Sequence, residues 1–333
     1  MSNPIVVFSE PGVVTIETQD VPEPNPDEVL IETRRTLVST GTELTILGGE
    51  FPPGSKWAGH VEYPFVPGYN NIGEVIAVGE DVETIDVGQR VATYSSHAAY
   101  VVADAEDCRP VPDGVGDVEA SFFTIAEIVM NGVRRGRLTW GETTVVYGLG
   151  LLGQLAVRCG HVAGARPVVG IDIAASRLSY LPEVSSIDGI NPTDEDTASA
   201  LKRAANGRLA DVVFEVTGNQ NIITDEFEVL RDQGRFVVLS SPRGETTLDL
   251  HDHCNGPSYE IIGAHNSSHP SVATPNNPWT QQRHCELFFD LLLDGSLSVE
   301  GLVSHEHSYE DAPALYNRLL NDRTDAMGVL LEW

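Results

Sequence analysis

The feature that most constrains the fold is a set of three closely spaced glycines between two different kinds of apolar segment. Gly148, Gly150 and Gly153 follow the strand-like run ThrThrValValTyr at 143–147 and precede a stretch with helical spacing. Continuous apolar runs are typical of strands buried on both faces, which occur in parallel sheets joined by helices. Later segments repeat this pattern at ValValGlyIle, AspValValPheGlu, ArgPheValValLeu and GluIleIleGly. The chain is therefore predicted to be an α/β protein containing a doubly wound parallel sheet.

The spacing of the glycines is that of a dinucleotide-binding turn of the Rossmann type. The first glycine permits a tight turn, the second lets the backbone approach a pyrophosphate, and the third lets the helix pack on the strand. The helix would begin at Leu151 and Leu152 and offer free N–H groups to the phosphates. Asp172 ends the next strand, where an acid can bind the ribose and repel a 2′-phosphate. We predict NAD as the cofactor, with Arg177 as the nearby basic group that would favour NADP.

Other cofactor contacts are expected where the remaining strands of this sheet end. Ligands of open α/β sheets bind at the carboxyl ends of the strands. The residues at those ends are Thr217, Gly218, Ser240, Ser241, Ala264 and His265.

The charge balance limits the partners. A net charge of −29, from 49 acidic and 20 basic residues, argues against nucleic acid. The acids are spread through ordinary apolar patterning, which indicates a solvated surface adapted to high salt. Without a signal-like start or eighteen consecutive apolar residues, we expect a cytoplasmic protein with no membrane partner. Four cysteines without metal-ligand spacing are predicted to be reduced and structural.

A second set of motifs precedes the glycine turn. ThrGlyThrGluLeu occurs at 40–44, ProGlyTyrAsnAsnIleGlyGluValIleAlaValGly at 67–79 and GlyGlnArgVal at 88–91. In this order of motifs the chain resembles, over essentially its whole length, the medium-chain dehydrogenase/reductase superfamily of zinc alcohol and polyol dehydrogenases and their zinc-free relatives. The resemblance implies a homodimer or homotetramer in which each chain combines a Rossmann NAD-binding domain (119–265) with a GroES-like, mainly β catalytic domain (1–118 and 266–333).

The same resemblance shows where catalytic zinc ligands would stand, and this chain has other residues there. Thr40 replaces the usual cysteine, Tyr69 and Asn70 replace histidine and glutamate, and Thr124 stands where a further ligand is expected. Hydroxyls and an amide do not supply the N/S-rich tetrahedral set that catalytic zinc requires. The four-cysteine lobe for structural zinc is also missing. We predict no metal.

Within the superfamily the chain is similar to sugar 3-dehydrogenases, which oxidise a ring hydroxyl of a glycoside. The likeness is carried by AsnGlyValArgArg, TrpThrGlnGlnArgHisCysGluLeu and the GlyValLeuLeu ending. It implies NAD-dependent hydride exchange with a secondary alcohol of a small sugar, glycoside or polyol. Two alternatives stay open: a reductase of quinone-like or conjugated carbonyls, and a nucleotide-binding relative that has lost its chemistry.

Four residues are candidates for moving the substrate proton. Thr42 stands where zinc relatives have a proton-passing hydroxyl, although a turn or cap threonine is an equally ordinary explanation. Glu127, flanked by apolar residues, is expected to be paired or to have a raised pKa, unless it lies on the polar stripe of its helix. His97 would titrate in a useful range, or be a structural loop histidine. Glu43 is expected to organise Tyr69 or Asn70.

Substrate contacts are expected from Thr40, Trp57, Tyr69 and Asn70. An aromatic ring with nearby hydroxyl and amide groups suits a sugar, but tryptophans also anchor loops.

Overall fold

A computed structural model describes residues 2–52 and 54–333. Its strands are β1 (Ser2–Glu10), β2 (Val13–Asp20), β3 (Glu28–Leu37), β4 (Asn71–Val78), β5 (Arg90–Thr93), β6 (Tyr100–Asp104), β7 (Arg109–Pro110), β8 (Thr144–Tyr147), β9 (Val168–Ile171), β10 (Ile187–Ile190), β11 (Ala210–Glu215), β12 (Leu230–Val238), β13 (Glu260–Gly263), β14 (Val303–Ser308) and β15 (Gly328–Glu332). Its α-helices are α1 (Thr42–Gly48), α2 (Lys56–His60), α3 (Asp117–Ala120), α4 (Phe123–Arg135), α5 (Leu151–Val162), α6 (Ala175–Leu178), α7 (Thr197–Ala204), α8 (Gln281–Leu293) and α9 (Ala312–Asn321).

The chain divides into two compact units. The first comprises the chain up to Thr124 with Cys285–Leu293 and Val299–Trp333, and the second comprises Ile125–His284 with Asp294–Ser298. The predicted boundaries at 118 and 265 therefore lie earlier than the observed ones. Residues 266–284 belong to the second unit because they pack on α4.

The first unit is mainly β. One sheet has the order β14-β15-β3-β4-β5-β7 with β6 beside β3, and β1 pairs with β2. Successive side chains of β1 enter different cores, as the two-residue period of a strand requires. Ile5 and Val7 pack in one core, whereas Val6 and Phe8 pack against α1 and α9 in the other. This second core sets α1 and α9 side by side beneath the candidate site.

The second unit is built on a parallel sheet with the order β10-β9-β8-β11-β12-β13. The predicted apolar runs form β8, β9, β11, β12 and β13, so the predicted α/β class with a doubly wound parallel sheet is confirmed. The strand order reverses between β8 and β11, and ligands of such sheets bind at this switch point, at the carboxyl ends of the strands. In the part of the chain that the structure describes, no helix has the length and apolar character needed to cross a membrane.

Candidate active site and dinucleotide-binding turn

The glycine turn has the backbone geometry that its spacing predicts. Gly148 has φ +90°, which favours glycine, and a Cβ on Gly153 would lie 1.8 Å from the Gly148 carbonyl oxygen. A Cβ on Gly150 would meet nothing within 4 Å, so there is open space at the amino terminus of α5. Leu151 is buried and Leu152 is partly buried in its first turn. The turn fits a pyrophosphate held by backbone N–H groups.

Asp172 follows β9 and is 7 % exposed. Its Oδ2 accepts a hydrogen bond from the Leu149 N–H at 2.7 Å, and its Oδ1 accepts one from the Ala174 N–H at 2.8 Å. The Arg177 guanidinium lies 3.6 Å from Oδ2. The carboxylate is therefore fixed beside the glycine turn, at the position of a ribose-binding acid.

Glu215, at the end of β11, connects several predicted cofactor residues. Its Oε1 accepts hydrogen bonds from the Thr217 N–H and hydroxyl, both at 2.7 Å, and from the Gly218 N–H at 2.8 Å. The Ser240 hydroxyl donates to its Oε2. Glu215 was not predicted, although its place at a strand end two residues before Thr217 was a usable signal.

The other predicted strand-end residues are less closely connected. Ser241 is exposed. Ala264 is buried and donates its N–H to the Val238 carbonyl at 3.0 Å, continuing the sheet. His265 is exposed, with Nδ1 2.8 Å from the Ser267 hydroxyl.

In the first unit, Glu43 lies in the first turn of α1 and is 1 % exposed. It accepts a hydrogen bond from the Ser39 N–H at 2.9 Å and one from the Tyr316 hydroxyl. His97 Nε2 lies 3.1 Å from Glu43 Oε2, and this contact assigns the ring proton to Nε2. The hydrogen-bond partners of Glu43 are therefore His97, Tyr316 and Ser39, and its expected role of organising Tyr69 or Asn70 stays a prediction.

Tyr69 lies within a cluster of hydroxyls. It donates to the Ser39 hydroxyl and hydrogen-bonds the Thr42 side chain. The Thr124 hydroxyl donates to the Tyr69 carbonyl at 3.1 Å. Burial, and to a smaller extent the charge of Glu43, raises the pKa of Tyr69 to about 12, so its hydroxyl stays protonated at neutral pH.

The remaining predicted substrate residues are placed as follows. Asn70 is fully buried, and its Nδ2 donates to the Leu37 carbonyl at 3.2 Å. Its Oδ1 has no hydrogen-bond partner among the described residues. Thr40 is partly exposed, and its carbonyl accepts from Arg323 at 2.8 Å. Trp57 stacks on Phe51 with centroids 5.8 Å apart.

Two proton-transfer candidates are fully buried. Glu127, on α4, is 0 % exposed, which excludes a place on a solvated polar stripe. His97 is also 0 % exposed. A Cβ on Gly68 would lie 2.6 Å from the His97 N, so glycine at 68 is what admits this histidine. Tyr316, which completes the Glu43 cluster, stands 273 positions away along the chain, and no local sequence pattern identified it.

The residues that stand in the place of zinc ligands do not fit the metal. Thr40, Tyr69, Asn70 and Thr124 offer hydroxyl and amide groups, not the thiolate and imidazole groups that zinc prefers. Within residues 2–52 and 54–333, no three His, Cys, Asp or Glu side chains are grouped as a metal ion would require.

Comparison with known proteins identifies the family. Residues 25–146 match the alcohol dehydrogenase GroES-like domain, and residues 152–274 match the zinc-binding dehydrogenase family. The D-guloside 3-dehydrogenase of Escherichia coli strain K12 is 26 % identical over 260 residues, 76 % of this chain and 73 % of that protein. The L-galactonate-5-dehydrogenase of the same strain is 22 % identical over 358 residues and covers 98 % of both chains.

Solved structures share the fold. An Escherichia coli oxidoreductase/dehydrogenase of unknown specificity superimposes with a TM-score of 0.84 at 17 % identity, over 100 % of this chain and 99 % of that one. A short-chain alcohol dehydrogenase of Escherichia coli CFT073 in complex with NADH gives 0.79 at 19 %, over 100 % and 99 %. A protein of Sinorhizobium meliloti 1021 described as a zinc-binding dehydrogenase, bound to NADP, gives 0.80 at 19 %, over 100 % of both.

The two family matches together span most of both units, and the first confirms the predicted GroES-like domain. The chain belongs to the medium-chain, zinc-type alcohol dehydrogenase superfamily and is an oxidoreductase that acts on CH–OH groups.

Proposed function

We propose that this protein is a zinc-independent, NAD-dependent dehydrogenase of a secondary alcohol in a sugar, glycoside or polyol. The observation that carries the proposal is the hydroxyl cluster of Tyr69, Thr42 and Ser39. The resemblance to zinc relatives implies a metal ligand at the position of Tyr69 and a proton-passing hydroxyl at that of Thr42. An enzyme that lacks a Lewis acid must hold the reacting oxygen by hydrogen bonds, and neutral hydroxyls can do so as donors or acceptors.

The second unit offers the cofactor site. Backbone N–H groups at Gly150–Gly153 would hold the pyrophosphate, and Asp172 would accept the ribose hydroxyls. NAD supplies the hydride acceptor when it is bound. Asp172 favours NAD over NADP because its fixed carboxylate repels a 2′-phosphate, while the nearby Arg177 is already engaged with that carboxylate.

The first unit offers the group that contacts the substrate oxygen. The hydroxyl of Thr42 or of Tyr69 accepts a hydrogen bond from the alcohol during oxidation. In the reverse reaction it donates one to the carbonyl. The raised pKa of Tyr69 means that it acts as a neutral hydroxyl. The net proton is taken by Glu127 or His97. His97 would take the proton on Nδ1, because its Nε2 already donates to the carboxylate of Glu43 at 3.1 Å.

The substrate class follows from what the relatives act on. Those named above act on D-guloside and L-galactonate, and a further relative is a sorbitol dehydrogenase of Bacillus subtilis. All are polyhydroxylated compounds, and the partly exposed ring of Trp57 suits contact with a sugar ring.

The proposal is tested by following NADH formation with EDTA-treated protein in high salt. A panel of glycosides, free sugars, polyols and simple alcohols is offered with NAD or NADP. Turnover of a ring or polyol hydroxyl with NAD supports the proposal. Activity that EDTA removes and zinc restores contradicts it, and so does turnover confined to quinones or enones. Cofactor binding without any turnover would identify a non-catalytic relative.

A single substitution tests the preference for NAD over NADP. Asp172→Ser removes the charge beside the glycine turn, and we expect the NAD to NADP ratio of kcat/KM to fall about tenfold or more. Asp188→Ser, at an exposed position on β10, is the matched control and should leave the ratio unchanged. An unchanged ratio in Asp172→Ser would show that the carboxylate does not select the cofactor.

A further inference from the structure

The second unit contains a compact cationic cluster that the dehydrogenase chemistry described above does not use. The guanidinium carbons of Arg134 and Arg283 lie 3.1 and 4.0 Å from the centroid of the Trp279 ring. The His284 ring stacks on the same indole, with centroids 5.3 Å apart and planes inclined by 23°. Both guanidiniums are thus held by cation–π contact in fixed orientations.

A chain of hydrogen bonds fixes the two histidines beneath this cluster as neutral rings. The Arg134 Nε–H donates to His284 Nε2 at 3.0 Å, so the His284 proton must be on Nδ1. That nitrogen lies 2.9 Å from His269 Nε2, and His269 Nδ1 lies 2.7 Å from the Asn266 carbonyl. Burial lowers the pKa of His284 to about 3, with His269 and both arginines adding to the effect. The positive charge therefore resides on the arginines alone.

Among the described residues, no carboxylate neutralises these two charges. Neither Arg134 nor Arg283 forms an ion pair within the part of the chain that the structure describes, whereas arginines such as Arg90, Arg231 and Arg235 do. Partial burial, and then the charge of Arg283, lowers the pKa of Arg134 to about 10. In a chain with 49 acidic and 20 basic residues, adjacent arginines without a carboxylate are an arrangement that a bound anion would stabilise.

Contacts of α4, the helix that carries Arg134, connect the cluster to the carboxyl-end edge of the parallel sheet, where the nucleotide is proposed to bind. The Asn131 side chain, one turn before Arg134 on α4, donates to the His265 carbonyl at 3.3 Å and to the Ser268 hydroxyl at 2.8 Å. Both belong to the segment that leaves the carboxyl end of β13. Asp172 and the glycine turn lie at the other half of the same edge, at β9 and β8. A dinucleotide crosses such a sheet from one half to the other, so its nicotinamide end belongs towards β13.

We propose that Arg134 and Arg283, held over Trp279, bind an anionic group of the substrate, either a carboxylate or a phosphate. The inference rests on the proposed function and narrows its substrate class to sugar acids or sugar phosphates. Among the described residues, the terminal nitrogens of these two planar guanidiniums make one contact, that of Arg283 Nη1 with the Pro278 carbonyl at 3.4 Å. The others suit the paired oxygens of either group. The glycine turn is the proposed site of the cofactor's pyrophosphate. An anion bound at Arg134 and Arg283 would therefore belong to the substrate.

The test combines a binding readout with a kinetic one. Arg283→Gln is the main variant because, among the described residues, the exposed Arg283 side chain makes only one hydrogen bond, a long one of 3.4 Å to the Pro278 carbonyl. Arg283→Lys keeps the charge but loses the planar fork. Arg203→Gln, an exposed arginine on α7 paired with Glu195, is the matched control for a lost surface charge.

Thermal midpoints are measured with inorganic phosphate or acetate against chloride at equal ionic strength. We expect phosphate to raise the midpoint of the wild type and of Arg203→Gln, with the shift lost in Arg283→Gln. Kinetics then compare gluconate and glucitol 6-phosphate with neutral glucitol, which separates a carboxylate from a phosphate. Arg283→Gln should lower kcat/KM for the preferred anionic compound about tenfold or more and leave that for glucitol within about twofold.

The outcomes separate this inference from the proposed function. Equal losses in Arg283→Gln and Arg203→Gln, or a wild type that phosphate and acetate do not stabilise, would overturn the anion site even if a neutral sugar is oxidised. An anion-dependent midpoint shift that disappears in Arg283→Gln without turnover of any alcohol would support the anion site and overturn the proposed dehydrogenase.

Discussion

Two glutamates, one in each unit, are buried to the same depth but have opposite surroundings. Glu43 and Glu226 are each 1 % exposed. Glu43 accepts hydrogen bonds from Ser39, Tyr316 and His97. Both carboxyl oxygens of Glu226 lack a hydrogen-bond partner among the described residues. Burial, followed by the charges of Glu215 and Asp225, raises the pKa of Glu226 to about 9.

The two acids thus differ in their donors and not in their depth: Glu43 has three, and Glu226 has none among the described residues. The donors around Glu43 suit a carboxylate, whose charge helps to keep Tyr69 protonated beside Thr42. Glu226 stays protonated at neutral pH, which spares its neighbour Glu215 a like charge. Glu215 is thereby free to hold Thr217, Gly218 and Ser240 at the nucleotide edge.

The largest effect is expected from removing the well-bonded acid. Glu43→Ala leaves the Tyr316 hydroxyl, the His97 ring and the Ser39 N–H buried without their acceptor, and we expect it to lower the free energy of unfolding by about 3 kcal/mol. Chemical denaturation with the tryptophan signal measures this loss.

The control for Glu43→Ala is a second Tyr–Glu contact in the same unit. The Tyr100 hydroxyl donates to the exposed Glu32 at 2.9 Å, so Glu32→Ala should cost no more than about 0.5 kcal/mol. Equal losses of unfolding free energy in Glu43→Ala and Glu32→Ala would show that burial does not increase the contribution of the Glu43 hydrogen bonds to stability.

The sequence predicted the features that short local patterns encode, and it did not predict contacts between residues that are far apart along the chain. The glycine turn, Asp172 and the strands of the parallel sheet were predicted because a local period or spacing encodes each of them. Tyr316 on Glu43 and His284 on Arg134 were not, since 273 and 150 positions separate the partners. Glu226 was missed because AspGluPheGluVal alternates like a half-exposed turn, and only the packing shows which acid points inward.

Glu226 has no hydrogen-bond partner among the described residues, so its effect on stability is expected to be opposite to that of Glu43 and to depend on pH. The folded-state pKa of Glu226 is about 9, above its ordinary value of 4.5, so between these values the folded protein keeps a proton that the unfolded chain has lost. Stability therefore falls as pH rises through this window and is unaffected below it. Glu226→Gln removes this loss, and its stability relative to the wild type should improve by about 2.5 kcal/mol from pH 5 to pH 7.

Calorimetric midpoints of both proteins across that pH range check the slope. Glu228→Gln is the matched control, because Glu228 lies in the same short turn but is exposed. A difference between wild type and Glu226→Gln that does not change with pH would mean that Glu226 is already ionised in the folded protein.

The smallest effect is expected where the Glu43 cluster meets the proposed chemistry. Tyr69→Phe removes one hydroxyl from the cluster with Ser39 and Thr42 while the ring remains, so the fold should persist. If the hydroxyl holds the reacting oxygen, kcat should fall about tenfold, a change of about 1.4 kcal/mol in the barrier. Tyr63→Phe, which removes a hydroxyl bonded to the Ile46 carbonyl in the same unit, should leave kcat unchanged. Equal rates in Tyr69→Phe and the wild type would assign the substrate contact to Thr42 alone and reduce Tyr69 to a support for that threonine.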